Sequence, residues 1–107
     1  MFLNIIKNNK SLSNNEIDLI NEKGYFLGQN TPNPFKNSTV IEYSLPVDEK
    51  NASILIFNLN GQTLQEYKLL ETKGSITIDS NVLSKGLYLY SLISDGQEIA
   101  TKKMLMN

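Results

Sequence analysis

Cysteine and histidine are both absent from this 107-residue chain, and each absence excludes a class of chemistry. Without cysteine there is no disulfide bond and no thiolate metal site. Histidine is the commonest general base, the usual partner of a serine nucleophile and the commonest metal ligand. The sequence therefore argues against conventional hydrolase chemistry, and we expect no enzyme activity, no metal and no cofactor.

Arginine is missing as well, because all 10 basic residues are lysines. They are scattered among 11 acidic residues, and the net charge is −1. Phosphate recognition needs concentrated positive charge and gains from the bidentate fork of arginine. Nucleic acid is therefore not an expected partner.

Long apolar runs are also absent. The apolar stretch 1–6 is too short for the core of a signal peptide, has no basic residue ahead of it, and leads into the polar residues 7–10. No segment approaches the roughly 20 apolar residues of a membrane-spanning helix. We expect neither a signal peptide nor a transmembrane helix in this sequence.

Proline is rare, and Pro32 and Pro34 stand together in the segment 27–35, Leu-Gly-Gln-Asn-Thr-Pro-Asn-Pro-Phe. Each proline steers the residue before it into an extended conformation. Asn-Pro favours a turn, which makes Phe35 a candidate buried anchor. Local physics alone would also allow a proline-punctuated linker here.

Residues 1–27 have clustered asparagine and lysine and no strand alternation, which is typical of a separate lead-in. Ser13 and Glu16 match a capping box, and Gly24 supplies a stop signal. This pattern predicts a short helix over 14–23. We therefore expect a lead-in of residues 1–27 and one domain of residues 28–107.

From Thr39 onward the pattern switches to short alternating segments bounded by turn residues. Apolar residues on both faces of 52–57 indicate a central strand. Asn60-Gly61 predicts a type I′ hairpin turn, and Asp95-Gly96 predicts a second hairpin turn. The predicted strands are 39–45, 52–57, 62–70, 75–79, 87–93 and 98–106.

Short strands with turns between them predict an all-β fold, an immunoglobulin-like antiparallel β-sandwich of about seven strands. A small open barrel is the alternative, since strand spacing does not decide closure. Tyr88 and Tyr90 share a face with Leu92 and are predicted to lie in the core; an exposed sugar-stacking platform is the other interpretation. The acidic turn residues lack the spacing of a calcium loop.

Several segments, taken in order, resemble the type A C-terminal sorting domain of the type IX secretion system. The proline-containing segment 27–35 resembles the opening of that family, and 39–46 resembles its first long strand ending in Ser-Leu-Pro. The other similar segments are 56–61, which ends in Asn-Gly, 83–90, which reads Leu-x-x-Gly-x-Tyr-x-Tyr, and the closing strand 101–105.

The resemblance implies a sorting signal rather than an enzyme. It implies that the domain directs an N-terminal passenger, missing from this chain, through the outer membrane of a Gram-negative bacterium to the cell surface or medium. The implied partners are the type IX outer-membrane translocon, a shuttle protein and a sortase that cuts before the domain, around Gly24 to Gly28.

The resemblance also implies which residues matter. The domain-opening motif is Gln29, Asn30, Pro32, Asn33, Pro34 and Phe35. Recognition by the translocon or shuttle is implied for Gly86, Tyr88, Lys102, Lys103, Met104 and Leu105. Physically, a terminal strand with exposed edge groups can dock by strand addition.

The sequence also allows two other functions. An immunoglobulin-like binding or adhesion module for carbohydrate or protein would share the sandwich but expose an aromatic patch. A small enzyme is the third possibility. Burial of Tyr88 and Tyr90 would count against the binding module.

Overall fold

The strands form where apolar and polar residues alternate, because a strand that packs one face on a core buries every second side chain. The structure is a computed structural model that describes residues 24–49 and 51–107. The helix predicted over 14–23 lies outside the described residues. The strands are β1 Phe26–Leu27, β2 Ser38–Ser44, β3 Ala52–Phe57, β4 Thr63–Leu69, β5 Lys73–Asp79, β6 Gly86–Ser94 and β7 Gln97–Met106.

The strands form two antiparallel sheets, ordered β1-β2-β5 and β4-β3-β6-β7. In immunoglobulin-like sandwiches strands A, B and E face strands C, F and G, and variable-type domains add a strand beside C. Here β4 lies beside β3 in that added position. The predicted all-β immunoglobulin-like sandwich of seven strands is confirmed.

The core lies between the two sheets and is built from the inward residues of each strand. Ile54 and Ile56 of the central strand β3 are fully buried, while Leu55 and Phe57 lie half-buried on the outer face. Leu27 of β1 is also buried, so the sandwich includes a residue that precedes Gly28. The other fully buried apolar side chains are Phe35, Ile41, Ile78, Tyr90, Leu92 and Met104.

The hairpin between β6 and β7 has the expected two-residue turn. Asp95 and Gly96 both have positive φ, 50° and 78°, as a type I′ turn requires. Ser94 and Gln97 close the ladder on either side of it.

The prediction of a type I′ turn at Asn60-Gly61 is wrong. Only Gly61 of this pair has positive φ, and its amide donates to the carbonyl of Asn58 at 3.0 Å. The side-chain oxygen of Asn58 accepts from the amides of Asn60 and Gln62, both at 3.0 Å. The loop is therefore the longer hairpin connection that ends in a left-handed glycine, which the same dipeptide also suits.

In the part of the chain that the structure describes, no helix has the length and apolar character needed to cross a bilayer.

Candidate functional site

Residues 28–35, named here the opening segment, lie along the outer edge of β7. The amide of Phe35 donates to the carbonyl of Leu105 at 3.0 Å, and the amide of Asn107 donates to the carbonyl of Phe35 at 2.8 Å. These bonds make a parallel bridge between Phe35 and Met106. The two ends of the domain are therefore joined at the last strand.

Two amide side chains extend this contact along the strand. Gln29 donates from Nε2 to the carbonyl of Lys103 at 2.7 Å, and Asn33 accepts at Oδ1 from the amide of Leu105 at 2.9 Å. Unpaired N–H and C=O groups on an edge strand would otherwise invite pairing with another chain. In this stretch two side chains and the backbone of Phe35 occupy the place of a neighbouring strand.

A buried polar cluster fixes the opening segment to the core. The backbone amide of Asn30 donates to the hydroxyl of Tyr90 at 2.8 Å, and that hydroxyl donates to the carbonyl of Gly28 at 2.7 Å. The side chain of Asn30 also donates to Thr39 Oγ1 at 3.0 Å, and Thr39 donates to the carbonyl of Pro32 at 2.8 Å. Because buried polar groups are costly unless paired, this network favours one conformation of the segment.

The rest of the opening motif takes up the positions expected of an anchored turn. The peptide bonds before Pro32 and Pro34 are cis, and both prolines are exposed. Phe35 follows them and is 1% exposed, which confirms its prediction as a buried anchor.

The expectation that the terminal strand has exposed edge groups is wrong between Lys103 and Asn107. The carbonyl of Lys103 bonds to Gln29, the amide and carbonyl of Leu105 bond to Asn33 and Phe35, and the amide of Asn107 bonds to Phe35. The physical reason is a contact between segments far apart in sequence, which strand alternation does not reveal. Strand addition at this stretch of β7 would first require the opening segment to leave.

The residues implied in recognition divide between the interior and the surface. Met104 is fully buried and Tyr88 nearly so, with its hydroxyl donating to the carbonyl of Ser84 at 2.6 Å. Lys103 and Leu105 are exposed. Directly opposite residues in a sheet share a face, so Lys102, opposite buried Tyr90, lies on the core-facing side of β7 and is half-buried.

Gly86, also among the implied residues, begins β6 with a φ of 147°, a backbone conformation that favours glycine. It pairs with Met106 at the end of β7. Its role in the structure is to set the direction in which β6 starts.

A second polar cluster lies at the opposite end of the sandwich, where the described chain begins. The hydroxyls of Tyr25 and Ser94 both donate to Glu49 Oε1, at 2.7 and 2.6 Å, and lie 2.9 Å from each other. Burial, and to a lesser degree the nearby Glu49 carboxylate, raise the pKa of Tyr25 above its ordinary value. This cluster ties the residue before β1 to the β2–β3 loop and to the end of β6.

The acidic residues Asp79 and Asp95 accept hydrogen bonds that stabilise the turns in which they lie. Asp79 accepts from the amide of Asn81 at 2.9 Å and caps the 3₁₀ turn Ser80–Val82, and Asp95 accepts from the side chain of Asn51 at 3.2 Å. Within residues 24–49 and 51–107, no group of three or more acidic side chains is placed to hold a metal ion.

Tyr88 and Tyr90 both lie in the core, as predicted. Their burial leaves no sugar-stacking platform on that face of β6, which is the observation that counts against the binding module.

Sequence patterns did not reveal the structural roles of Tyr90 and Thr39. Both hydroxyls hold the opening segment, yet in the sequence each occupies an ordinary alternating strand position. A buried tyrosine needs a partner for its hydroxyl, and that requirement was the available signal.

Comparison with known proteins gives the family. The sequence matches the family described as "Secretion system C-terminal sorting domain" over residues 31–107. The chain is thus a β-sandwich domain with its opening segment bonded to its last strand, and it belongs to this family of type IX secretion sorting domains. This is not an enzyme family, and membership supports a C-terminal sorting signal for export to the surface or medium of a Gram-negative bacterium.

No curated protein matches the chain. Among solved structures, it is similar to an immunoglobulin-like protein from Pseudomonas aeruginosa, with 12% sequence identity and a TM-score of 0.48. The similarity covers 78% of this chain and 91% of that one.

Proposed function

We propose that this domain directs a passenger attached at its N-terminal side across the outer membrane through the type IX secretion system, and that a surface sortase then removes it. The family match over residues 31–107 carries the proposal. The partners are the outer-membrane translocon, a shuttle protein and the sortase.

We place recognition at the terminal strand and divide its residues by exposure. Lys103 and Leu105 are exposed and available to touch a partner. Tyr88 and Met104 are buried and act by holding β6 and β7 in place, and Gly86 acts through its backbone conformation. Lys102, half-buried on the core-facing side, also protects the edge by placing a charge there.

We place the sortase cut on the N-terminal side of Tyr25. The hydroxyl of Tyr25 bonds to Glu49, Leu27 is 1% exposed, and the amide of Gly28 donates to the carbonyl of Glu42 at 2.8 Å. A protease needs an extended, accessible backbone, so a cut after Tyr25 would require β1 to detach from β2.

The test attaches residues 1–107 to the C-terminus of a reporter that carries its own periplasmic signal peptide, in a host with a type IX system. We expect the reporter on the cell surface or in the medium, and in the periplasm of a matched strain without a working translocon. An intact fusion that stays in the periplasm of the competent host contradicts the proposal.

Point variants test the terminal strand better than truncation does. Removing residues 102–107 would also remove Met104 and Met106 from the core, so a failure to export would not separate recognition from folding. Lys103→Glu changes only an exposed side chain. We expect it to lower export while the domain stays folded, and normal export of this variant would contradict contact at Lys103.

A further inference from the structure

The outer face of the four-stranded sheet carries a continuous apolar surface next to the last strand. Leu87 and Leu105 are directly opposite each other on β6 and β7, and they are 39% and 38% exposed. Leu89 follows Leu87 on the same face and pairs with Phe57 of β3. Leu55 continues the row along β3. We name these residues, Leu55, Phe57, Leu87, Leu89 and Leu105, the apolar face.

The pairing geometry brings together the two most exposed residues of the apolar face. The amide and carbonyl of Leu105 both bond to the opening segment, so neither is directed toward β6. Leu105 and Leu87 therefore form a non-hydrogen-bonded pair, the type in which opposite side chains approach most closely. Val47, Leu59 and Leu70 are more exposed but lie outside the strands, and the exposed Phe26 and Val40 belong to the other sheet.

The charged side chains near this face on its β7 side are lysines. Lys103 is opposite Leu89 on the same face and is exposed, and Lys36 and Lys85 flank the ends of the opening segment and β6. The sequence has no acidic residue in 29–41, 80–94 or 99–107.

Acidic residues near this end do not offset the lysines. Glu66 is opposite Leu55, and its carboxylate forms an ion pair with Lys68, with Oε2 3.8 Å from Nζ. Asp79 is opposite Ser38 on the outer face of the other sheet. The apolar face is thus bordered by lysines on the β7 side.

We propose that the apolar face is the surface by which the secretion machinery binds this domain, and that its partner is a protein surface with an apolar centre bordered by carboxylates. Charge complementarity selects this occupant, because a second copy would bring its own lysines to the same border. The inference rests on the proposed sorting function. It extends the proposed recognition surface from the terminal strand to the outer face of the four-stranded sheet.

The test uses the reporter fusion to residues 1–107 with paired substitutions. We expect Leu87→Ser with Leu105→Ser to lower export about tenfold, because apolar anchors at the centre of an interface carry most of its affinity. Lys103→Glu should lower it several-fold by placing like charges at the border. The matched controls are Val47→Ser and Leu70→Ser, both 90% exposed, which should leave export unchanged.

A direct measurement identifies the partner. A photo-crosslinking residue at position 87 should attach to an outer-membrane translocon or shuttle component identified by mass spectrometry, and the same residue at position 70 should not. Thermal unfolding of each purified variant chain verifies that it is folded, and Lys103→Glu keeps the test valid if the double leucine variant unfolds.

The outcomes separate the two proposals. Wild-type export with unchanged export of the double leucine variant and of Lys103→Glu overturns the apolar-face inference and leaves the sorting function standing. Failure of the wild-type fusion to leave the periplasm overturns the sorting function itself. A concentration-dependent dimer that the leucine substitutions abolish would assign the face to a second copy and overturn the inference.

Discussion

At the scale of single residues, the hydroxyl of Tyr90 has the largest structural consequence. It accepts from the amide of Asn30 and donates to the carbonyl of Gly28, in a site with no solvent access. Tyr90→Phe keeps the ring but leaves both backbone groups without that partner. We expect a loss of about 2–3 kcal/mol in the free energy of unfolding, measured by urea denaturation.

Tyr88→Phe is the matched control for that substitution. The Tyr88 hydroxyl donates to the carbonyl of Ser84 in a partly buried position near the start of β6. Its loss should cost about 1 kcal/mol. Equal losses for the two variants would show that the Tyr90 hydroxyl does not hold the opening segment in solution.

Tyr25 makes the stability of the domain sensitive to alkaline pH. Burial raises its pKa above the ordinary value of 10.0, so the folded chain holds this proton more tightly than the unfolded chain does. The stability that this difference provides is present below about pH 10 and is lost as pH rises through the folded pKa. We expect the free energy of unfolding to fall above about pH 10.

Tyr25→Phe should make this alkaline decline shallower, as measured by urea denaturation at several pH values. A residual decline should remain, because burial also raises the pKa of Tyr67. An unchanged slope in the Tyr25 variant would contradict the assignment.

At the scale of elements, the opening segment bonds to the edge of β7 where a neighbouring strand would otherwise pair. It does so through the side chains of Gln29 and Asn33 and the backbone of Phe35. Asn33→Ala removes the acceptor for the amide of Leu105. A hydrogen bond worth about 1 kcal/mol corresponds to roughly fivefold faster hydrogen exchange at that amide, which NMR can measure. The amide of Met104, directed toward β6, should change little.

Asn51→Ala is the control for that experiment, since it removes an amide side chain at the far end of the sandwich. It should leave exchange at Leu105 unchanged. If Asn33→Ala also leaves it unchanged, the edge of β7 is closed by some contact other than the side chain of Asn33.

The elements differ in how far their sequence predicts them. Strands such as β2 and β3 follow from alternation, because local burial pattern and strand geometry share the same period. The turn at Asn60-Gly61 was assigned to the wrong type because the dipeptide suits more than one hairpin loop. The contact of the opening segment with β7 was missed because no local pattern reports which distant edge a polar side chain will meet.

At the scale of the whole molecule, the first and the last of the five motifs that carry the family resemblance are neighbours in space. The opening motif and the terminal strand meet through Phe35 and Leu105, and together they close one end of the sandwich. Their separation in sequence hid this relation. Their exposure could not be predicted either, because which implied residues are buried depends on the sheet order.

The contacts of Tyr25 and Leu27, at the opposite end of the molecule, indicate which residue begins the folded domain. Residues 25–107 retain Tyr25 bonded to Glu49 and Leu27 in the core, whereas residues 29–107 lose both contacts and β1. Deleting a buried leucine side chain alone costs about 2–5 kcal/mol. We therefore expect 29–107 to be less stable than 25–107 by at least about 3 kcal/mol, measured by urea denaturation. Equal midpoints for the two fragments would place the start of the domain at Gln29 or later and remove the structural reason for a sortase cut before Tyr25.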